Sequence, residues 1–303
     1  MKNIHTYIIT LLLLIHSSMG NCASTCPKID DEQHLTLNGY GRSSYRLNSL
    51  LLIEAIDNTF KINKNLPALD VGSGFGEFVY NILPTGIKKI YINDLDKKNL
   101  FCIRRNLREK YPEQIDNIEF IAGNFIKNNV ESKIPDNSIG FINAKNVIHF
   151  FKFDELFKFA IISNKKLVKN GYLFLVFENK YLNEQKQLIE HIDSQAKTVG
   201  VKTIEGYNNV IKKEYHEHNF GGLDLNCSFE TFEKTNNNIK MPGFPCQLNE
   251  AEQHHISPSP IKTYQLIIPE YLASILEKSG FKNIRLATME KNPGVYLVLA
   301  QKK

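Results

Sequence analysis

Residues 68–78 read ALDVGSGFGEF: a short apolar run, an acid, and glycines at 72, 74 and 76. Such a segment has to carry a strand straight into a helix. Its backbone must also pass close to a ligand that side chains would block. Glycines alone leave several ligands open, and the spacing removes some of them. A dinucleotide site reads GxGxxG; its third glycine falls on Glu77 when counted from Gly72, and on Val79 when counted from Gly74. A carboxylate in the first helical turn repels a pyrophosphate, which binds the bare helix N-terminus. No Gly-Lys-Ser/Thr follows the glycines, so a Walker A phosphate loop is excluded. The turn is built for a ligand without phosphates.

From Pro67 onward, short apolar runs alternate with amphipathic helical stretches, the pattern of βα units on a parallel sheet. The pattern predicts strands over 68–71, 89–93, 118–122, 139–143 and 172–178. Helices are expected over 43–60, 76–82, 97–111 (capped by Asp96) and 154–167. Near the end, Pro269 opens a helix that Gly280 closes. Strands over 284–289 and 295–300 then flank the turn Lys291-Asn-Pro-Gly294, which is short enough to make them antiparallel neighbours. The fold class is α/β: a doubly wound, seven-stranded, mainly parallel sheet with an antiparallel last strand.

Asp70-Val-Gly72-Ser-Gly74-Phe-Gly76 resembles the first motif of class I S-adenosylmethionine (SAM)-dependent methyltransferases. Further segments share the likeness. Asp94-Leu95 ends the second strand, where the family keeps an acid for the ribose hydroxyls. Gly123-Asn124-Phe125 ends the third, where the family reads Gly-Asp beside the adenine. Asn143-Ala-Lys-Asn-Val-Ile-His149 and Leu167-Val-Lys-Asn-Gly171 resemble the fourth-strand segment and the turn before the fifth. The likeness spans roughly residues 43–178 and 263–301. It implies SAM as cofactor, held by Asp70, Gly72, Gly74, Gly76, Asp94, Leu95, Asn124, Phe125 and Asn143. Two hydroxyls of a ribose suit one carboxylate at Asp94, and Asp70 and Glu77 favour a cationic sulfonium and ammonium. Asn124 stands where the family usually has Asp, yet its amide oxygen still accepts from an adenine amino group.

Methyl transfer from SAM is chiefly a matter of positioning, so a catalytic base is required only when the acceptor must lose a proton. His149 is the candidate base, expected at the mouth where acceptors enter, with Lys145 and Asn146 beside it. Asp/Asn-Pro-Pro-Tyr and Pro-Cys are both absent after the fourth strand, which argues against DNA amine and cytosine-C5 acceptors. Net charge is only +5 and the lysines are scattered, so no nucleic-acid partner is called for. A small molecule or a protein side chain is the expected acceptor. His216/His218 and His254/His255 lack the spacing of a metal site.

The segment 179–262 breaks the βα rhythm and reads as a substrate-side insertion. Tyr207, Tyr215, Phe220, Phe229, Phe232 and Phe244 are available either to line an acceptor pocket or to form a small core of their own. At the other end, Lys2 precedes the apolar run Tyr7–Ile15, and Ser18 and Gly20 stand at −3 and −1 of a cut before Asn21. This is the pattern of a secretory signal peptide over 1–20, too short to span a bilayer. A loose segment over 21–42 then leads to the domain at 43–303, with no membrane anchor expected after cleavage. The five cysteines form neither CxxC nor a disulfide framework. Export would permit Cys22–Cys26 and Cys227–Cys246 pairs, while Cys102, inside a helical pattern, reads as a free thiol. An exported chain meets little SAM outside a cytoplasm, so a SAM-fold binding protein without catalysis stands as the second reading.

Overall fold

The computed structural model describes residues 26–27, 34–35, 42–43, 50–151, 153–179, 265–289 and 292–303, with isolated positions and short strands between 190 and 248. The expected signal peptide and the six aromatic residues of the insertion lie outside the described residues.

Seven strands form one sheet. They are β1 (Ala68–Val71), β2 (Ile90–Asp94), β3 (Ile118–Ala122), β4 (Ile139–Lys145), β5 (Leu167–Glu178), β6 (Phe281–Met289) and β7 (Asn292–Lys302). Their order is β6-β7-β5-β4-β1-β2-β3. The pairs from β5 through β3 are parallel, and β7 runs antiparallel to both β5 and β6. The strand order reverses beside β1, between β1 and β4. In open α/β sheets a ligand crevice forms outside the carboxyl ends of the strands at such a switch point.

The helices are α1 (Leu50–Asn63), α2 (Glu77–Ile82), α3 (Lys97–Lys110), the single turn α4 (Asn128–Glu131), α5 (Phe153–Lys166) and α6 (Pro269–Lys278). As expected, Asp96 caps α3: its side chain accepts from the Lys98 amide at 2.8 Å. Strand residues alternate between two cores. Ala68, Ile90, Ile92, Phe141 and Val176 pack with Leu52 of α1, Phe78 of α2 and Ile103 of α3. Their neighbours Leu69, Tyr91, Ile142 and Leu175 pack with Phe159 of α5 and Leu272 of α6. The sheet is therefore covered on both faces, which its near-continuous apolar strands require.

Two departures from the sequence reading stand out. Within the insertion over 179–262, for which the sequence pattern marks no strands, Leu225–Cys227 and Cys246–Leu248 are short strands that form a three-stranded antiparallel sheet with Gln265–Leu266. In its register Cys246 lies opposite Cys227. The second concerns Cys102, which is not a free thiol: it forms a disulfide with Cys26, 76 residues earlier. The expected Cys22–Cys26 pairing is thereby overturned. Helical periodicity placed Cys102 correctly on α3 but carries no information about a partner so distant in sequence.

Candidate cofactor site

The glycine turn leaves β1 with Gly72, Gly74 and Gly76 all at positive φ. At Gly72 (φ +65°) a Cβ would stand 2.3 Å from Cγ2 of Val147, on the segment that follows β4. Only a glycine fits both that backbone and that approach. Three backbone amides fix the turn: the Ser73 amide donates to the Asn93 carbonyl, the Gly76 amide to the Ser73 carbonyl, and the Gly74 amide to Asp94 Oδ2 at 2.8 Å.

Asp94 is thus an anchor as well as a candidate ligand. Its Oδ1 accepts from the Asp96 amide at 2.8 Å and from Asn99 Nδ2 at 3.2 Å. Burial raises its pKa to about 6, against the pull of the Asp96 and Gly74 amides and Asn99. Asp70, on the same sheet face, is 2% exposed. Its pKa rises to about 7, first through burial and then through the nearby Glu77 and Asp94 carboxylates, while a hydrogen bond from Asn143 opposes the rise. Asn143 sits opposite Asp70 in the parallel register of β1 and β4 and donates to Oδ1 at 2.7 Å.

That pairing is incomplete. Asp70 Oδ2, Asn143 Oδ1 and, just past β4, Asn146 Oδ1 are buried acceptors with no hydrogen-bond partner among the described residues. Asn146 is held at φ +56°. Buried acceptors left unpaired cost stability, so a cluster of three at the switch point calls for a donor from outside the chain. Lys145 supplies a cation here, but it is engaged: its Nζ lies 2.5 and 2.7 Å from the two Glu77 oxygens. Glu77 was expected to face the cofactor cation as a bare carboxylate; Lys145 instead neutralises it. The lysine is two residues beyond Asn143 and so shares its strand face, the one signal that pointed to the pair.

Leu95 is exposed beside Asp94. Asn124 Oδ1 accepts from the Ile126 amide at 3.1 Å, which leaves its second lone pair for a ligand. Phe125 is turned into the core, edge-on to Phe159, so its side chain does not face the turn. His149 was expected at the mouth. It lies on the 3-10 turn Ile148–Phe150, 4% exposed, and burial drives its pKa down to about 3. It stays neutral, and its ring meets Phe150 edge-on at 4.1 Å. An apolar run around it, Val-Ile-His-Phe-Phe, outweighs its polarity.

These residues fit SAM. The set of unpaired acceptors matches a ligand rich in donors and positive charge. The sheet order, with a glycine turn at its switch point, defines a doubly wound α/β fold. Residues 69–175 match the family model described as a methyltransferase domain.

No curated protein matches the chain. Solved structures similar to it include a SAM-dependent methyltransferase from Mesorhizobium loti, at 12% identity over 84% of this chain and 99% of that one, TM-score 0.49. The glycopeptide N-methyltransferase MtfA is 13% identical over 82% of this chain and 95% of that one, TM-score 0.48. The CurJ carbon methyltransferase is 13% identical over 78% of this chain, TM-score 0.42, and the chain spans only 48% of its length. At these scores they add nothing to the family match.

Proposed function

We propose that this protein is a SAM-dependent methyltransferase that works after export, on a small-molecule or protein acceptor. The observation that carries the cofactor assignment is the pair of unpaired buried acceptors, Asp70 Oδ2 and Asn143 Oδ1, beside the glycine turn. Bound SAM supplies an activated methyl on a sulfonium. In this reading Asp94 takes the ribose hydroxyls, and Asp70 with Asn143 takes the methionine ammonium. The backbone at Gly72, Gly74 and Gly76 allows close approach, and Leu95 and Asn124 flank the adenine, with Phe125 contributing only its backbone. Lys145, already paired with Glu77, has a third ammonium hydrogen to offer the methionine carboxylate. A buried, neutral His149 has lost the exposure a base needs, which favours acceptors that require no proton removal at their attacking atom.

The Cys26–Cys102 bond supports export, because disulfides persist in oxidising compartments and are rare in a reducing cytoplasm. The buried His149 also favours the second reading, a SAM-binding protein without catalysis. Calorimetric titration with SAM, S-adenosylhomocysteine and NAD decides the cofactor: the first two should bind and NAD should not. Absence of heat with both adenosyl ligands would sink the assignment. SAM consumption in the presence of extracts separates enzyme from binding protein. N-terminal sequencing of the secreted chain should begin at Asn21, and an intact Met1 would reject cleavage.

A further inference from the structure

We propose that the Cys26–Cys102 disulfide is a positioning clamp for the cofactor turn, so that cofactor affinity depends on the thiol state of the protein. The ligand half of this inference rests on the SAM reading; the clamp itself does not.

Phe75 is the tip of the glycine turn and is only 1% exposed. It belongs to neither of the two large cores. Its cluster of buried residues consists of itself, Cys26 and Cys102. The large side chain that seats the turn is therefore covered by the disulfide. Cys102 projects from α3, the helix that starts just after Asp94. One helical turn on, Asn106 Nδ2 donates to the Pro27 carbonyl at 3.1 Å, so α3 grips the same segment twice. The segment holding Cys26 and Pro27 lies upstream of residues 69–175, the stretch that matches the family model. The disulfide bonds this segment across the cofactor turn.

Breaking the bond takes away the cover of Phe75. The turn then keeps its three amide hydrogen bonds, one of which ends on the Asp94 carboxylate. Looser seating of Phe75 moves Gly74, and with it the carboxylate assigned to the ribose. Reduction by a dithiol balances simply. The S–S bond breaks, Cys26 and Cys102 each become thiols, and the dithiol gives up two electrons and two protons and closes to its own disulfide. In an oxidising compartment the bond stays closed and the turn is set for ligand.

The test uses the full chain expressed into an oxidising compartment, in three forms: oxidised, reduced with dithiothreitol while folded, and a Cys26→Ser/Cys102→Ala double variant. Hydrogen exchange is followed in peptides covering residues 72–80 and, as a reference, 156–162 of α5. The clamp predicts exchange about tenfold faster at 72–80 in both open forms, with 156–162 unchanged. S-adenosylhomocysteine should bind the open forms about tenfold more weakly, since only the seated fraction is competent. Equal exchange at 72–80 in all three forms, or a rise shared by 156–162, overturns the clamp. If the oxidised protein binds no S-adenosylhomocysteine while the exchange contrast persists, the SAM reading fails and the clamp stands.

Discussion

The two faces of the central sheet end differently. On the α5–α6 face, Asn93 near the end of β2 is a polar group in an apolar layer, and both of its amide hydrogens are used: its Nδ2 donates to the carbonyls of Ile121 and Gly123, both at 2.9 Å. On the α1–α3 face, Asp70 and Asn143 are as deeply buried, yet each keeps an acceptor unpaired. Folding alone explains the first face. The second carries a cost that the fold does not recover, and a bound cation is what would recover it. Buried polar groups thus fall into two kinds, those that hold strands together and those that wait for a ligand.

Substitutions should separate the two kinds. The largest effect is expected from Gly72→Ala, which places a methyl against Val147 and a side chain at positive φ; S-adenosylhomocysteine binding should fall below detection, by about 3 kcal/mol or more in calorimetry. Asp94→Asn should weaken binding by roughly 1–3 kcal/mol through lost charge-assisted bonds. Its midpoint of thermal unfolding should fall modestly, because Oδ1 and Oδ2 both accept from backbone amides and an asparagine can replace only one of them. A large drop there with unchanged affinity would move Asp94 to the structural kind.

pH gives the next effect. Asp70 and Asp94 have folded pKa values of about 7 and about 6, both raised by burial above an ordinary 3.8. The unliganded fold therefore binds more protons than the unfolded chain between about pH 4 and 7. The stability these groups contribute is full below about pH 4 and is lost as pH rises through 6 and 7. A cationic ligand prefers the ionised carboxylates, so affinity should rise about tenfold from pH 5 to 7.5, with protons released to buffer on binding. A flat profile would detach the acids from the ligand.

Smaller effects are expected from two further changes. Lys145→Met should weaken S-adenosylhomocysteine about three- to tenfold, roughly the worth of one partly exposed ionic contact, and leave 5′-methylthioadenosine unaffected, since that ligand lacks the carboxylate. Equal loss for both would make the lysine a prop for Glu77 only. Asn93→Ala should cost about 1–3 kcal/mol of stability in denaturant unfolding and leave the dissociation constant within about twofold.

The βα rhythm, the glycine turn and Asp94 were legible because each is local: period, spacing and capping are written within a few residues. The sequence pattern places the fifth strand over 172–178, which is shorter than the strand observed. The structure starts β5 at Leu167, because the turn residues Asn170 and Gly171 are carried inside an irregular edge that pairs with β4. What the sequence could not display was pairing across distance. The Cys26–Cys102 bond, the Glu77–Lys145 ion pair and the burial of His149 all depend on which helix meets which strand. His149 and Phe125 were read from motif position, whereas packing against α5 and the neighbouring aromatics decides where such rings go.

A structure of the oxidised protein crystallised with S-adenosylhomocysteine tests the central claim most directly. The ligand amino group should lie on Asp70 and Asn143, and the ribose on Asp94. Ligand bound elsewhere, with Asp70 Oδ2 and Asn143 Oδ1 still unpaired beside an empty turn, would contradict it.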